Sequence, residues 1–192
     1  MQKVYSNTIR KFCSEYEKKI LNNWTLSHYK DPYFQDANMD LENTGTRLTT
    51  RFSDEHEISK FSHMVKYPNE AYDVKSRIID YFKLQNYPHP QTFKNGIVNG
   101  IGFSGGSICD HIDPIYYENT HTLHCNIVTQ NSEIGGVTII EEIEHKVNDC
   151  DLLYYVVSKH NHKVTKIEGS KHRILWVFGF CIDDYKLNQI FP

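Results

Sequence analysis

The sequence predicts a mainly β protein: a jelly-roll barrel with N-terminal helices packed on its outside. Three observations predict it. Two apolar stripes of helical period lie in the first 82 residues. Tyr87-Pro88-His89-Pro90 then stops regular structure, because each proline fixes its backbone and removes a donor. From about residue 96, short apolar segments alternate with turn signals. Helices followed by many short strands suit a barrel with helical support. No internal repeat, linker or low-complexity segment interrupts the 192 residues. One domain is therefore expected over 1–192, with 1–95 a largely helical support region and 96–183 the jelly-roll core.

The first stripe runs through Ile9, Phe12, Cys13, Tyr16 and Ile20, spaced i, i+3, i+4, i+7 and i+11. Arg10, Lys11, Glu15, Lys18 and Lys19 occupy the other faces. The second runs through Ala71, Val74, Ile78, Ile79 and Phe82, with Pro68-Asn69-Glu70 near its start. Residues 25–53 are polar without strong periodicity, although Arg47 to Phe52 reads as a short strand with Arg47 and Arg51 on one face. Strands are expected at 97–103, 122–129, 136–143, 151–157, 163–168 and 173–182, where Ile, Val, Tyr and Phe are frequent. Asn131-Ser132 with Gly135-Gly136, Asn148-Asp149 and Glu168-Gly169-Ser170 supply turns between them.

Hydrophobic residues make up 39% of the chain and the formal net charge is −3. That composition suits one globular core and lacks the basic excess of a nucleic-acid footprint. No apolar run approaches the ~20 residues that span a bilayer. Met1 to Trp24 carries charge throughout, unlike a signal peptide, so a cytoplasmic location is expected. Cys13, Cys109, Cys125, Cys150 and Cys181 are odd in number and form no C-x-x-C pair. They are read as reduced, buried, small apolar residues.

The stretch that carries chemistry begins at Asp110-His111-Ile112-Asp113. On a strand, residues i and i+2 share a face, so His111 and Asp113 can reach one metal ion together. A third ligand must come from elsewhere in the barrel. Two histidines and one carboxylate on one side of iron(II) leave three positions open. H-x-D alone is weak evidence in a chain with eleven histidines. The residues downstream of it are more specific: Gly135-Gly136, His162-Lys163-Val164, Gly169 and Arg173, in that order.

Over about residues 97–182 this pattern resembles the 2-oxoglutarate/iron(II) dioxygenase superfamily, particularly its small prolyl-hydroxylase-like members. The resemblance implies a double-stranded β-helix core. It implies His111, Asp113 and His162 as metal ligands, and Arg173 as the cation for the distal carboxylate of 2-oxoglutarate. A guanidinium suits that task, being a planar two-pronged partner for a carboxylate. His160 is the rival third ligand, two residues away on the same strand face. His162 is preferred because Val164, Ile167 and Gly169 then fall in register with the family pattern. His124 and Asn126, opposite in face to Leu123, Cys125 and Ile127, are candidates to contact 2-oxoglutarate, or else are outward polar residues.

The implied reaction couples oxidative decarboxylation of 2-oxoglutarate by O2 to hydroxylation of an aliphatic C–H bond. Halogenases of this fold have a small residue in place of the carboxylate, so Asp113 favours hydroxylation. A small amino-acid-like metabolite is the expected substrate, with Arg47 or Arg51 for its carboxylate. Peptidyl hydroxylation of the prolyl type is the competing reading. A non-oxygenase, cupin-like metal-binding protein is another, and it would need the histidines but not Arg173.

Overall fold

The structure is a computed structural model that describes residues 3–37, 45–52 and 55–192. Of the polar stretch 25–53, residues 38–44 and 53 lie outside the described residues. In chain order the elements are β1 (Ser6–Ile9), α1 (Glu15–His28), β2 (Gln35–Asp36), β3 (Arg47–Thr49), α2 (Glu55–Phe61), α3 (Asn69–Phe82), β4 (Ile97–Gly102), β5 (Ile108–His111), β6 (His121–Gln130), β7 (Thr138–Ile140), β8 (Ile143–His145), β9 (Leu152–Val156), β10 (His162–Val164), β11 (Arg173–Ile182) and α4 (Asp184–Ile190).

The strands form two antiparallel sheets, the expected jelly-roll core. The major sheet runs β1-β9-β6-β11-β4-β3-β2, and the minor sheet runs β5-β10-β7-β8. Alternation along β11 shows how the major sheet is used. Ile174, Trp176, Phe178, Phe180 and Ile182 are buried in one large core with Leu21 of α1 and Ala71, Val74, Ile78 and Phe82 of α3. Trp176 meets Trp24 at 5.5 Å and Tyr67 at 5.6 Å between ring centroids. The intervening residues Arg173, Leu175 and Val177 face the barrel interior and line its cavities. A strand covered on both faces reads as a continuous apolar run, which is why β11 shows little polar alternation in the sequence.

The second helical stripe becomes α3 as expected. The first does not. Ile9 belongs to β1, which pairs with β9 through Ser6↔Tyr155 to Ile9↔Leu152. The helix begins only after Ser14, and the buried face of α1 is Glu17, Leu21 and Thr25, leaving Tyr16 at 67% exposure. A capping box sets that start: the Glu17 amide donates to Ser14 Oγ at 3.2 Å, and the Ser14 amide donates to Glu17 Oε2 at 2.7 Å. Glu17 is then held to α3 by Arg77 at 2.7 Å. Ser14→Ala should lower the unfolding free energy by about 1 kcal/mol in denaturant titration, because it removes one half of this cap.

The N-terminal region is thus less purely helical than expected, since β1, β2 and β3 all join the major sheet. The segment 163–168 is extended only over its first two residues, in β10. Four cysteines are buried, but Cys109 is exposed, a correction to the all-buried reading. No helix among the described residues is long and apolar enough to cross a membrane.

Candidate metal centre and its cavity

Two histidines are brought side by side by register. In the minor sheet β10 pairs with β5 so that His162 faces His111, with ring centroids 4.2 Å apart. Asp113 lies two residues past the end of β5 and not within it. Its backbone amide donates to the Val157 carbonyl at 3.0 Å, which holds the segment extended ahead of Pro114. His111, Asp113 and His162 each offer one ligand atom, and these atoms lie within 4.8 Å of one another.

Both histidines use the same device to point a nitrogen at this point. His111 Nδ1 lies 2.9 Å from the Cys109 carbonyl, and His162 Nδ1 lies 3.1 Å from the His160 carbonyl. A carbonyl only accepts, so Nδ1 of each ring carries a hydrogen, and when the ring is neutral Nε2 is the nitrogen left with a lone pair. Such outer bonds fix ring orientation at metal sites. His160 is disposed differently. Its Nε2 accepts from the Tyr5 amide at 2.8 Å, and its Nδ1 meets Glu141 Oε1 at 3.2 Å. Both nitrogens are spent on tying Tyr5, just ahead of β1, to Glu141, so none is left for a metal.

Electrostatics bind the three groups. Burial would push the Asp113 carboxyl up, but the hydrogen bond with His111 and the neighbouring His124 and Arg51 hold it well below the usual carboxylate range. The same bond raises His111, while burial and the neighbouring His111 lower His162. A proton on His111, facing Asp113 Oδ1 at 3.2 Å, stands where a cation would be held by the same two groups. The donor set of two neutral imidazoles and one carboxylate, with three positions left open, fits iron(II).

The group opens onto a cavity of about 270 Å³ whose walls include Arg47, Arg51, His124, Asn126, Thr138 and Tyr155. A smaller chamber shares Arg47, Val164, Leu175 and Val177 with it and adds Arg173. His124 and Asn126 therefore face the barrel interior and not solvent. Asn126 Nδ2 donates weakly to the Tyr155 hydroxyl at 3.4 Å, and burial lowers His124 to about 3. Arg173 is 7% exposed, with Nη2 only 3.4 Å from Thr138 Oγ1 and Nε without a partner among the described residues. Burial lowers it to about 10. Room for its chain comes from Gly136, where a Cβ would sit 2.7 Å from Arg173 Cδ and the backbone has φ +67°.

Arg47 and Arg51 both reach the cavity but are held differently. Arg47 donates to the Ala37 carbonyl at 2.7 Å and has no carboxylate at ion-pair distance among the described residues. Arg51 has Asp113 Oδ2 at 3.5 Å and the Tyr116 hydroxyl at 2.7 Å. Burial and the two other guanidinium groups lower Arg47 to about 10. The sequence reading missed Tyr155 and Thr138. The signal for Tyr155 was present: Leu153, Tyr155 and Val157 alternate onto the inner face, and Tyr155 is the polar one.

No family model and no curated protein matches the sequence. Solved structures do. A collagen prolyl hydroxylase of Paramecium bursaria Chlorella virus-1, in complex with 2-oxoglutarate, superposes with a TM-score of 0.60 at 12% identity, over 93% of this chain and 96% of that one. A Pseudomonas putida prolyl-4-hydroxylase gives 0.57 at 10% identity, over 94% and 93%. The non-heme α-ketoglutarate-dependent epimerase SnoN from nogalamycin biosynthesis gives 0.63 at 6% identity, over 94% and 77%. The chain has the fold of these oxygenases.

Proposed function

We propose that this protein is an Fe(II)/2-oxoglutarate-dependent oxygenase that hydroxylates an aliphatic carbon of a small amino-acid-like metabolite. One observation carries the reading. The His111–Asp113–His162 cluster and a buried arginine, Arg173, with no carboxylate partner among the described residues, face two chambers that share walls inside one barrel. A buried guanidinium without an anion is costly, and a co-substrate carboxylate relieves that cost.

When bound, iron(II) supplies the activation of O2 and the oxidative decarboxylation of 2-oxoglutarate, releasing succinate and carbon dioxide. The protein's own part is positioning and exclusion of water. His111, Asp113 and His162 hold the metal from one side. Arg173, with Thr138, takes the distal carboxylate of 2-oxoglutarate and so fixes how deep the acid enters. Tyr155 and Asn126 line the wall between these anchors, and Val98, Leu175 and Val177 keep it apolar and dry.

The small-metabolite reading rests on Arg47. It faces the cavity without a carboxylate partner among the described residues, so a substrate that brings its own carboxylate suits it. Peptidyl hydroxylation is supported by a different observation: Ile112 and Ile115, beside Asp113, are more than half exposed and would suit an apolar peptide. A non-oxygenase metal-binding role leaves Arg173 unexplained.

Anaerobic addition of iron(II) and 2-oxoglutarate should produce a weak visible charge-transfer band. Free amino acids and short peptides are then compared by succinate release and product mass. The expected result is a +16 mass shift on a free amino acid or similar acid, with one succinate per product. A shift on peptides alone would transfer the assignment to a peptidyl hydroxylase. No band and no 2-oxoglutarate dependence would leave only the metal-binding reading. Chloride or bromide should not divert the product, because Asp113 fills the position a halide needs. A halogenated wild-type product would overturn that role.

A further inference from the structure

We propose that Arg51 and His124 are positioning residues that hold the outer oxygen of the Asp113 carboxylate, so that its other oxygen faces the histidine pair. The proposal rests on the reading of His111, Asp113 and His162 as a metal centre. Asp113 Oδ1 points to His111 Nε2 at 3.2 Å. On its far side Oδ2 has two neighbours, Arg51 Nη1 at 3.5 Å and His124 Nε2 at 3.6 Å. Asp113 Oδ2 and His124 Nε2 are both buried polar atoms without a hydrogen-bond partner among the described residues. Two unsatisfied groups facing one another across one atom's width are costly apart, and a few tenths of an ångström make them a charge-assisted hydrogen bond. The tautomer with hydrogen on Nε2 of His124 is the one this requires.

Arg51 is itself anchored for the task. Its Nη2 donates to the Tyr116 hydroxyl at 2.7 Å, and that hydroxyl lies 3.1 Å from Thr92 Oγ1. The guanidinium sits over the Phe93 ring at 5.7 Å, and Phe93 is 5.4 Å from the His124 ring. One buried phenylalanine thus backs both arms. Gly179 leaves space for it, since a Cβ there would stand 2.7 Å from Phe93 Cε2.

The consequence is chemical. A carboxylate with a free outer oxygen can swing and bind a metal through both oxygens. A centre held by two histidines and one carboxylate oxygen would keep positions free for its co-substrates. A second oxygen from Asp113 would take one of those positions. Arg51 is then committed to Asp113, which leaves Arg47, of these two arginines, as the cation for a substrate.

The test uses cobalt(II) as a spectroscopic probe, titrated into metal-free protein and followed by its d–d absorption. Tyr116→Phe and His124→Leu are the informative variants, because neither removes a formal charge. Arg51→Gln is avoided: losing a nearby cation strengthens the attraction of the site for any metal and masks the loss of orientation. Both variants should bind cobalt about tenfold more weakly and with an altered d–d band, as loss of a partner outside the ligand shell commonly does. Thermal unfolding of metal-free Tyr116→Phe should stay close to wild type. His124→Gln, which retains a donor, should recover part of the loss. Unchanged or tighter cobalt binding in folded Tyr116→Phe and His124→Leu overturns the proposal. So does a His124→Leu protein that binds cobalt normally and loses only affinity for the 2-oxoglutarate analogue N-oxalylglycine. Wild-type protein that binds no cobalt defeats the metal-centre reading itself. Wild-type binding that is lost in His162→Ala but kept in both variants defeats the positioning role alone.

Discussion

His162→Ala, His111→Ala and Asp113→Ala are each expected to abolish most iron binding and most activity, while folded His160→Ala keeps both. Three protein ligands leave little redundancy, so loss of one opens a fourth position to water and weakens the rest. The contrast with His160 is the sharper half. His160 is fully buried, yet the Tyr5 amide and Glu141 occupy its two nitrogens. Its removal leaves the Tyr5 amide without that acceptor, which should cost about 1–3 kcal/mol of stability and lower the unfolding temperature. Metal titration on the folded fraction separates the two effects. If His160→Ala loses iron while His162→Ala retains it, the assignment is reversed.

Arg173→Leu should raise the 2-oxoglutarate requirement by a factor of hundreds or more and leave iron affinity nearly intact. Breaking a buried charge pair by removing one partner commonly costs about 3–5 kcal/mol, which sets that factor. Iron should be spared because Arg173 is absent from the walls of the chamber that His111, Asp113 and His162 share and lines the smaller one beside it. Leucine fills most of the vacated volume, so folding should survive. The measurement is succinate formation against 2-oxoglutarate concentration, together with an iron titration. An unchanged 2-oxoglutarate dependence in folded protein defeats the role given to Arg173. A parallel loss of iron would mean that the side chain supports the ligands instead.

Local chemistry made part of this protein legible from its residues alone. The strands β4, β6, β9 and β11 were visible because their apolar runs are long and bounded by turn residues. The order H-x-D, Gly-Gly, His-x-Val, Gly, Arg marked one region of the chain, and His111, Asp113, His162, Val164 and Arg173 from it line the cavities. Helix α3 was legible because its buried positions keep one period throughout.

Other features were decided only when distant segments met. The apolar residues Ile9 and Phe12 read as helix, but the free edge of β9 offered backbone partners and drew Ile9 into β1. Strands of three or four residues such as β5 and β10 carry too little pattern to fix their bounds; pairing and burial set them. Strand alternation does not separate His160 from His162. The resemblance preferred His162 by register, and in the structure His160 lies in a bend ahead of β10, with its nitrogens already engaged. One of them is taken by a backbone amide that arrives from residue 5. Likewise Arg47 and Arg51 look equivalent in sequence, four residues apart on one face. Only packing separates them, by setting Tyr116 and Asp113 against one guanidinium and a backbone carbonyl against the other. Periodicity and motif report what each segment prefers, whereas hydrogen-bond satisfaction is a property of the assembled interior.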